Sequence, residues 1–247
     1  MKRVAVCLYG LSNGLNSKGH KIYFNDCIRK LIDHLENQNI IFDFFYHTWD
    51  NDSKNKDRLK QNLNELLFPK LYSVEDLKKF DSDKDLNNLK SRWYSNDKSI
   101  QLAIDYAKSK KIDYDFLFVT RFDCYYKTFF DLNKLKKDSV YVSNWIYPYN
   151  QIGCLDYWFL LDFKHAKYFS KISDLLNQNF LKKNFNSSHN ISKSITNNLN
   201  RVYLKYEHKD FYLFSRVYKK QKLHFRIRVI LKYLFNKYFK MDENVWK

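Results

Sequence analysis

Between Asp113 and Lys127 the chain reads Asp-Tyr-Asp-Phe-Leu-Phe-Val-Thr-Arg-Phe-Asp-Cys-Tyr-Tyr-Lys, an apolar run that stops at an arginine, an aromatic ring and a carboxylate. Phe116 to Val119 is short, aromatic and β-branched, the composition of a strand buried on both faces of a sheet covered by helices. Arg121 and Asp123 follow where such a strand leaves its sheet. In open α/β sheets ligands bind beyond the carboxyl ends of the strands. The pair therefore marks either a site or a plain strand-end salt bridge.

Other stretches repeat the pattern. Arg3 to Leu8 reads as a first strand, and Tyr9-Gly-Leu-Ser-Asn-Gly14 as a polar turn whose glycines allow tight geometry. It carries neither G-x-G-x-x-G nor G-x-x-x-x-G-K-[ST], which excludes a dinucleotide fingerprint and a P-loop. Phe24, Cys27, Ile28, Leu31, Ile32 and Leu35 have helical spacing, and Ile40 to Tyr46 is a second strand ending in His47-Thr-Trp-Asp50. His47 is read as a site residue or as a surface or strand-end histidine. Lys70 to Val74 gives a third short strand, while Glu75 to Lys90 alternates Asp with Lys as a solvated segment does.

Arg92-Trp-Tyr-Ser95 opens a helix carried on by Ile100, Ala103, Ile104 and Ala107 to about Lys110, delivering the chain into the strand at Phe116. Ser139 to Trp145 alternates with the period of a strand. Tyr147 to Cys154 is a loop, and Leu155 to Asp162 an apolar run carrying Asp156 near its start. A buried ionised aspartate is costly unless paired or metal-bound, so Asp156 is either functional or an ordinary hydrogen-bonded carboxylate at a strand edge. Phe163 to Leu176 resumes helical spacing, and the Asn- and Ser-rich stretch from Asn177 to Arg201 is a surface connection or weak helix.

At 247 residues the chain suffices for one large domain with a small appendage. Its four cysteines form no C-x-x-C pair, which argues against a zinc site or disulfide framework and fits a reducing setting. No run approaches the roughly 20 apolar residues of a membrane-spanning helix. The net charge is +17, part of it the background of a Lys- and Asn-rich composition, but its distribution is informative. After Asp210 no acid appears until Asp242, while nine bases from Arg216 to Lys240 lie among large apolar residues. Leu223, Ile227, Ile230, Leu231, Leu234 and Tyr238 share one face of a helical projection, which suits an anionic membrane surface or docking on the domain. Nucleic acid is not an expected partner, because no recognised RNA- or DNA-binding module accompanies the charge.

Val4-Ala-Val-Cys-Leu-Tyr-Gly10, Phe44-Phe-Tyr-His-Thr-Trp-Asp50, Arg92-Trp-Tyr-Ser95 and Phe118-Val-Thr-Arg-Phe-Asp123, in this order, resemble a family of small bacterial proteins from capsule and lipopolysaccharide gene clusters. Those are similar to glycosyltransferases of the GT-A type, and the resemblance spans residues 1 to 180 in outline. It implies a GT-A-like, Rossmann-like α/β domain over residues 1–205, with a mixed, mostly parallel sheet flanked by helices. Residues 206–247 then form a basic helical extension.

The implied function is transfer of a sugar from a nucleotide-sugar donor to a capsular polysaccharide, lipooligosaccharide or lipid-linked glycan. The setting is cytoplasmic, or peripheral on the inner face of the membrane through residues 216–240. Such enzymes hold Mg²⁺ or Mn²⁺ on a D-x-D motif. Here the matching position reads Arg121-Phe-Asp123, with a cation in place of the first carboxylate. Either Asp123 is a lone carboxylate ligand of the metal, or Arg121 neutralises the diphosphate by bidentate hydrogen bonds. Asp156 is the candidate base for the acceptor hydroxyl. Tyr9, Gly10, Ser12, Asn13, His47, Thr48, Trp49, Asp50 and Arg92 are the nucleotide-side candidates, and Tyr147 to Gly153 would face the acceptor. A rival transferase reading moves a phosphoryl or phosphoramidate-type group onto the same glycans.

Overall fold

Strand β1 (Lys2–Leu11) is buried from Val4 through Tyr9, and its alternation divides the molecule into two cores. Val4, Val6 and Leu8 face one hydrophobic cluster, and Ala5, Cys7 and Tyr9 the other, as the period of two requires. The computed structural model describes residues 1–14, 22, 24–50, 56–143, 156–177, 191, 195–196, 199–204 and 211–213.

The first core is closed by α1 (Phe24–Glu36), which buries Cys27, Ile28, Leu31 and Leu35, and by α2 (Lys56–Leu67), which buries Leu59, Leu63 and Leu67. The second is closed by α3 (Lys84–Lys110) through Trp93, Ile100, Ala103 and Ala107. Between them runs a seven-stranded sheet of order β3-β2-β1-β4-β7-β6-β8. It contains β2 (Ile40–Asp50), β3 (Leu71–Asp76), β4 (Phe116–Arg121), β6 (Ser139–Ser143), β7 (Trp158–Asp162) and β8 (Asn200–Leu204). β3, β2, β1 and β4 are mutually parallel, the order of a Rossmann-type half, while β7 is antiparallel to both its neighbours and β8 is parallel to β6. The fold is therefore α/β, with a mixed and mostly parallel sheet covered by helices.

Several boundaries differ from those the spacing predicts. β1 continues through Tyr9 to Leu11 and β2 through His47 to Asp50, because the parallel ladder extends to Gly10↔Thr48 and Leu11↔Trp49. α3 begins eight residues before Arg92. Asp83 caps it by accepting the Leu86 amide at 2.8 Å, and its Asp- and Lys-rich first turns conceal it in the sequence. The helical spacing after Phe163 is broken into a 3-10 turn, α4 (Ala166–Phe169) and α5 (Ile172–Asn177). β8 lies where a surface connection is expected to end. β5 (Cys124–Tyr126) pairs antiparallel with β9 (Phe211–Leu213), which falls within the stretch assigned to the helical extension. Tyr147 to Gly153 and the basic residues 216–240 lie outside the described residues. Cys7, Cys27 and Cys124 are buried free thiols. Among the described residues no helix is long and apolar enough to cross a membrane.

The aromatic centre of the first core is Phe118, fully buried and within 5.6 to 6.4 Å of the rings of Tyr126, Phe129, Phe130 and Trp158, centroid to centroid. Phe118→Ala is expected to cost about 3–5 kcal/mol. Urea denaturation measures this, and a loss under about 1 kcal/mol would mean that the cluster collapses around the hole.

Candidate functional site

Tyr9 and Arg121 are register partners at the carboxyl ends of β1 and β4. The sheet order reverses there, with β2 and β3 built outward on one side of β1 and β4 on the other. The crevice at such a switch point is where wound α/β sheets place ligands. The Tyr9 hydroxyl donates to the backbone oxygen of Asp156 at 2.9 Å and accepts from Nη2 of Arg92 at 2.8 Å. Arg92, in the third turn of α3, also pairs through Nη1 with Oδ2 of Asp156, just ahead of β7. Its guanidinium lies 5.7 Å from the ring centroid of Tyr9 and 5.2 Å from that of Trp93.

A second pair forms from β4 and the turn after it. Arg121 presents Nε and Nη2 to Oδ1 and Oδ2 of Asp123, each at 2.7 Å, as a bidentate fork. Its guanidinium carbon is 5.8 Å from the Tyr157 ring centroid, and its amide donates to the Tyr157 oxygen at 3.3 Å. The carboxylate side chains are 3–4% exposed, against 15% for Arg92 and 26% for Arg121. The open side of the cluster is therefore cationic. Burial, aided by the positive charge of Arg121, lowers the pKa of Arg92. Burial acts on Arg121 in the same direction, but the Asp123 carboxylate outweighs it and its pKa is raised. The Tyr9 phenol is pushed up by burial, with both guanidinium groups pulling the other way.

The remaining predicted residues build the wall beside this cluster. Ser95 of α3 takes the Gly10 amide at 2.8 Å, touches Nδ1 of His47 at 2.8 Å and donates to the His47 backbone oxygen at 3.2 Å. Gly10 has φ +97° with open space where a Cβ would stand, so backbone conformation rather than crowding demands glycine. The hydroxyls of Ser12 and Thr48 lie 2.8 Å apart, and Trp49 stacks on Tyr94 at 5.5 Å. Ser12, His47, Thr48, Trp49 and Asp50 are all buried, while Gly10 and Asn13 stay half-buried. His47 is thus interior rather than on the surface. Nε2 of His47 is 3.4 Å from Oε1 of Glu75.

Of the candidates, Tyr9, Arg92, Arg121, Asp123 and Asp156 come together. The sequence marks neither Tyr157 nor Glu75 as a site residue, and Ser95 only as the end of the Arg92-Trp-Tyr-Ser95 stretch. Tyr157 directly follows Asp156, and Glu75 stands one residue before the end of β3, in register with Trp49. A divalent cation at Asp123 does not fit these residues. Both carboxylate oxygens face the Arg121 guanidinium, and among the described residues no three His, Cys, Asp or Glu side chains converge on a metal position. A cavity of 430 Å³ lined by His34, Gln38, Phe129 and Asp131 lies at the amino edge of the sheet, where Lys2 donates to the Leu132 and Asn133 oxygens, and takes no part in this cluster.

No protein-family model matches the chain, nor does any curated protein. Several solved structures resemble it in outline. A nucleoside-diphosphate-sugar pyrophosphorylase from Vibrio cholerae is 10% identical over 86% of this chain and 95% of that one, with a TM-score of 0.45. A CTP:phosphocholine cytidylyltransferase from Streptococcus pneumoniae is 14% identical over 93% and 98%, with a TM-score of 0.43. A glycosyltransferase involved in glycosylation of the major capsid of PBCV-1 is 10% identical over 64% and 79%, with a TM-score of 0.39. Likenesses this distant do not say what the chain does, and its fold class rests on its own strand order.

Two buried groups near the wall titrate in opposite senses. Burial lowers His47 to about 4, against the pull of Glu75, so between that pH and 6.5 the unfolded chain holds a proton that the folded one lacks and stability rises with pH. Burial raises Asp97 to about 7, against its hydrogen bonds from Ser173 and Asn96. From 3.8 to about 7 the folded chain keeps a proton that the unfolded one has lost, and stability falls as pH rises. The two slopes offset each other. Asp97→Asn removes the second, so its melting temperature should climb more steeply than that of the wild type between about pH 4 and 6.5. Parallel calorimetric profiles for the two proteins would contradict this assignment.

Proposed function

We propose that the chain is a glycosyltransferase that moves a sugar from a nucleotide-sugar donor to a capsular polysaccharide, lipooligosaccharide or lipid-linked glycan. The observation that carries this reading is the pair of guanidinium groups, Arg92 and Arg121, at the switch point of the parallel strands. Transfer breaks the bond between the sugar carbon and the diphosphate oxygen and forms one to the acceptor oxygen, whose hydroxyl proton passes to the departing diphosphate or to solvent. Negative charge grows on the departing nucleoside diphosphate, and preorganised cations there lower the barrier.

In this scheme Arg121 and Arg92 receive the diphosphate and Tyr9 fixes Arg92 from below. Asp123 and Asp156 hold the two guanidinium groups in place. Asp156 thus serves as the counter-ion of Arg92 in place of the general base that its position in the sequence suggests. The basic stretch 216–240 would bring the enzyme to anionic lipid on the cytoplasmic face, where lipid-linked acceptors are presented.

The test is release of nucleoside diphosphate from a panel of nucleotide sugars, with extracts of surface glycan as acceptor. We expect turnover with one donor class and a loss of at least about 100-fold in kcat/KM for Arg121→Gln, circular dichroism confirming its fold. Silence of the folded wild type across the panel would end this reading, and an Arg121→Gln enzyme within about threefold of wild type would remove the arginine from it.

A further inference from the structure

Asp123 is the residue at which a divalent cation would be sought, yet its carboxylate is committed. Both oxygens accept from the same guanidinium at 2.7 Å, and the aspartate is 3% exposed. A cation on those oxygens would have to displace Arg121 and would then sit beside an uncompensated guanidinium, and beside Arg92 as well. Like charges a few ångströms apart in a setting shielded from water repel strongly, and a divalent ion doubles that repulsion. The second carboxylate offers no alternative, since Asp156 pairs with Arg92. The charge that a metal would supply is already present in covalent form, on side chains that keep more exposure than their partners.

We propose that Arg92 and Arg121 together bind the diphosphate of the donor without a divalent cation, and that Asp123 is a positioning residue for Arg121 rather than a metal ligand. This rests on the glycosyltransferase reading for the identity of the donor, but the diphosphate site itself does not need the sugar. Arginine is suited to the task because its planar fork matches two phosphate oxygens as it matches a carboxylate. The anion therefore exchanges with, or adds to, the carboxylate that holds the guanidinium. The charges of Asp123 and phosphate compete for one fork, which gives the two models different outcomes for one substitution.

The experiment is calorimetric titration of inorganic pyrophosphate into the full chain, once with EDTA and once with Mn²⁺. We expect binding in EDTA at least as tight as in Mn²⁺, and at least about tenfold weaker binding for Arg121→Gln. Asp123→Asn is expected to bind pyrophosphate within about threefold of wild type, still without cation, because the Asn oxygen keeps one of the two hydrogen bonds that position Arg121 while the competing charge is gone. Binding that appears only with Mn²⁺ would overturn the proposal. So would absence of binding in both buffers, or loss of binding in an Asp123→Asn protein that keeps its cooperative melting transition. Should that variant not fold, paramagnetic resonance of Mn²⁺ with the wild type decides: no stoichiometric site is expected, and one occupied site refutes the inference. Pyrophosphate binding with no donor turned over would sink the glycosyltransferase reading alone. Sugar transfer stopped by EDTA and restored by Mn²⁺ would sink this inference alone.

Discussion

A carboxylate taken out of water without a counter-charge costs several kcal/mol, and Asp123 and Asp156 are both almost fully buried at one edge of the sheet. Their pairing with Arg121 and Arg92 is the constraint on which the organisation of that edge depends. Arg92 comes from α3 and Asp156 from the segment ahead of β7, so their ion pair ties the covering helix to the antiparallel half of the sheet. Tyr9 stands between them, donating to the Asp156 backbone and accepting from Arg92, and thereby joins β1 to the same tie. Removing any one of the three leaves a buried polar group without its partner, a larger penalty than the net worth of the bond.

The wall beside the pairs is buried and joined by hydrogen bonds in the same way. Ser95 is its hub, reaching the Gly10 amide and two atoms of His47, so β1, β2 and α3 are joined by a single hydroxyl. His47 stays neutral because its burial outweighs the attraction of Glu75. Behind this wall the two hydrophobic clusters cover both faces of β1 and β4, which gives the charged edge a rigid support.

How much of this the sequence discloses follows from the range of the interactions. The buried strands at Arg3, Ile40 and Phe116 are legible because burial on both faces writes a continuous apolar run. Their carboxyl ends are not, since Tyr9 to Leu11 and His47 to Asp50 are strand by virtue of ladders to each other and to β3 and β4, partners that no local pattern discloses. α3 is hidden in its first turns by alternating Asp and Lys, which says solvent but not helix, and β8 by its place at the sheet edge. The site is half legible. Position after an apolar run singles out Arg121 and Asp123, and position near the start of one singles out Asp156. That Arg92 pairs with Asp156 spans 64 residues and two elements, and no local pattern encodes it. The buried character of His47 and Thr48 is equally invisible, because a polar cluster after a strand looks the same whether it lines a cleft or fills a wall.

The pairing also bears on what would draw the proposed anion to this edge. Two guanidinium groups matched by two carboxylates sum to zero, so the cluster by itself exerts little pull beyond its immediate surroundings. Attraction over distance must come from the rest of the chain, whose net charge is +17. That contribution is screened beyond roughly 8 Å at physiological ionic strength, whereas the bidentate contacts at the arginines are not. In the proposed reaction, capture and orientation of the diphosphate are therefore separable. The first belongs to a diffuse excess of lysine, and the second to two forks held at the switch point by buried aspartates.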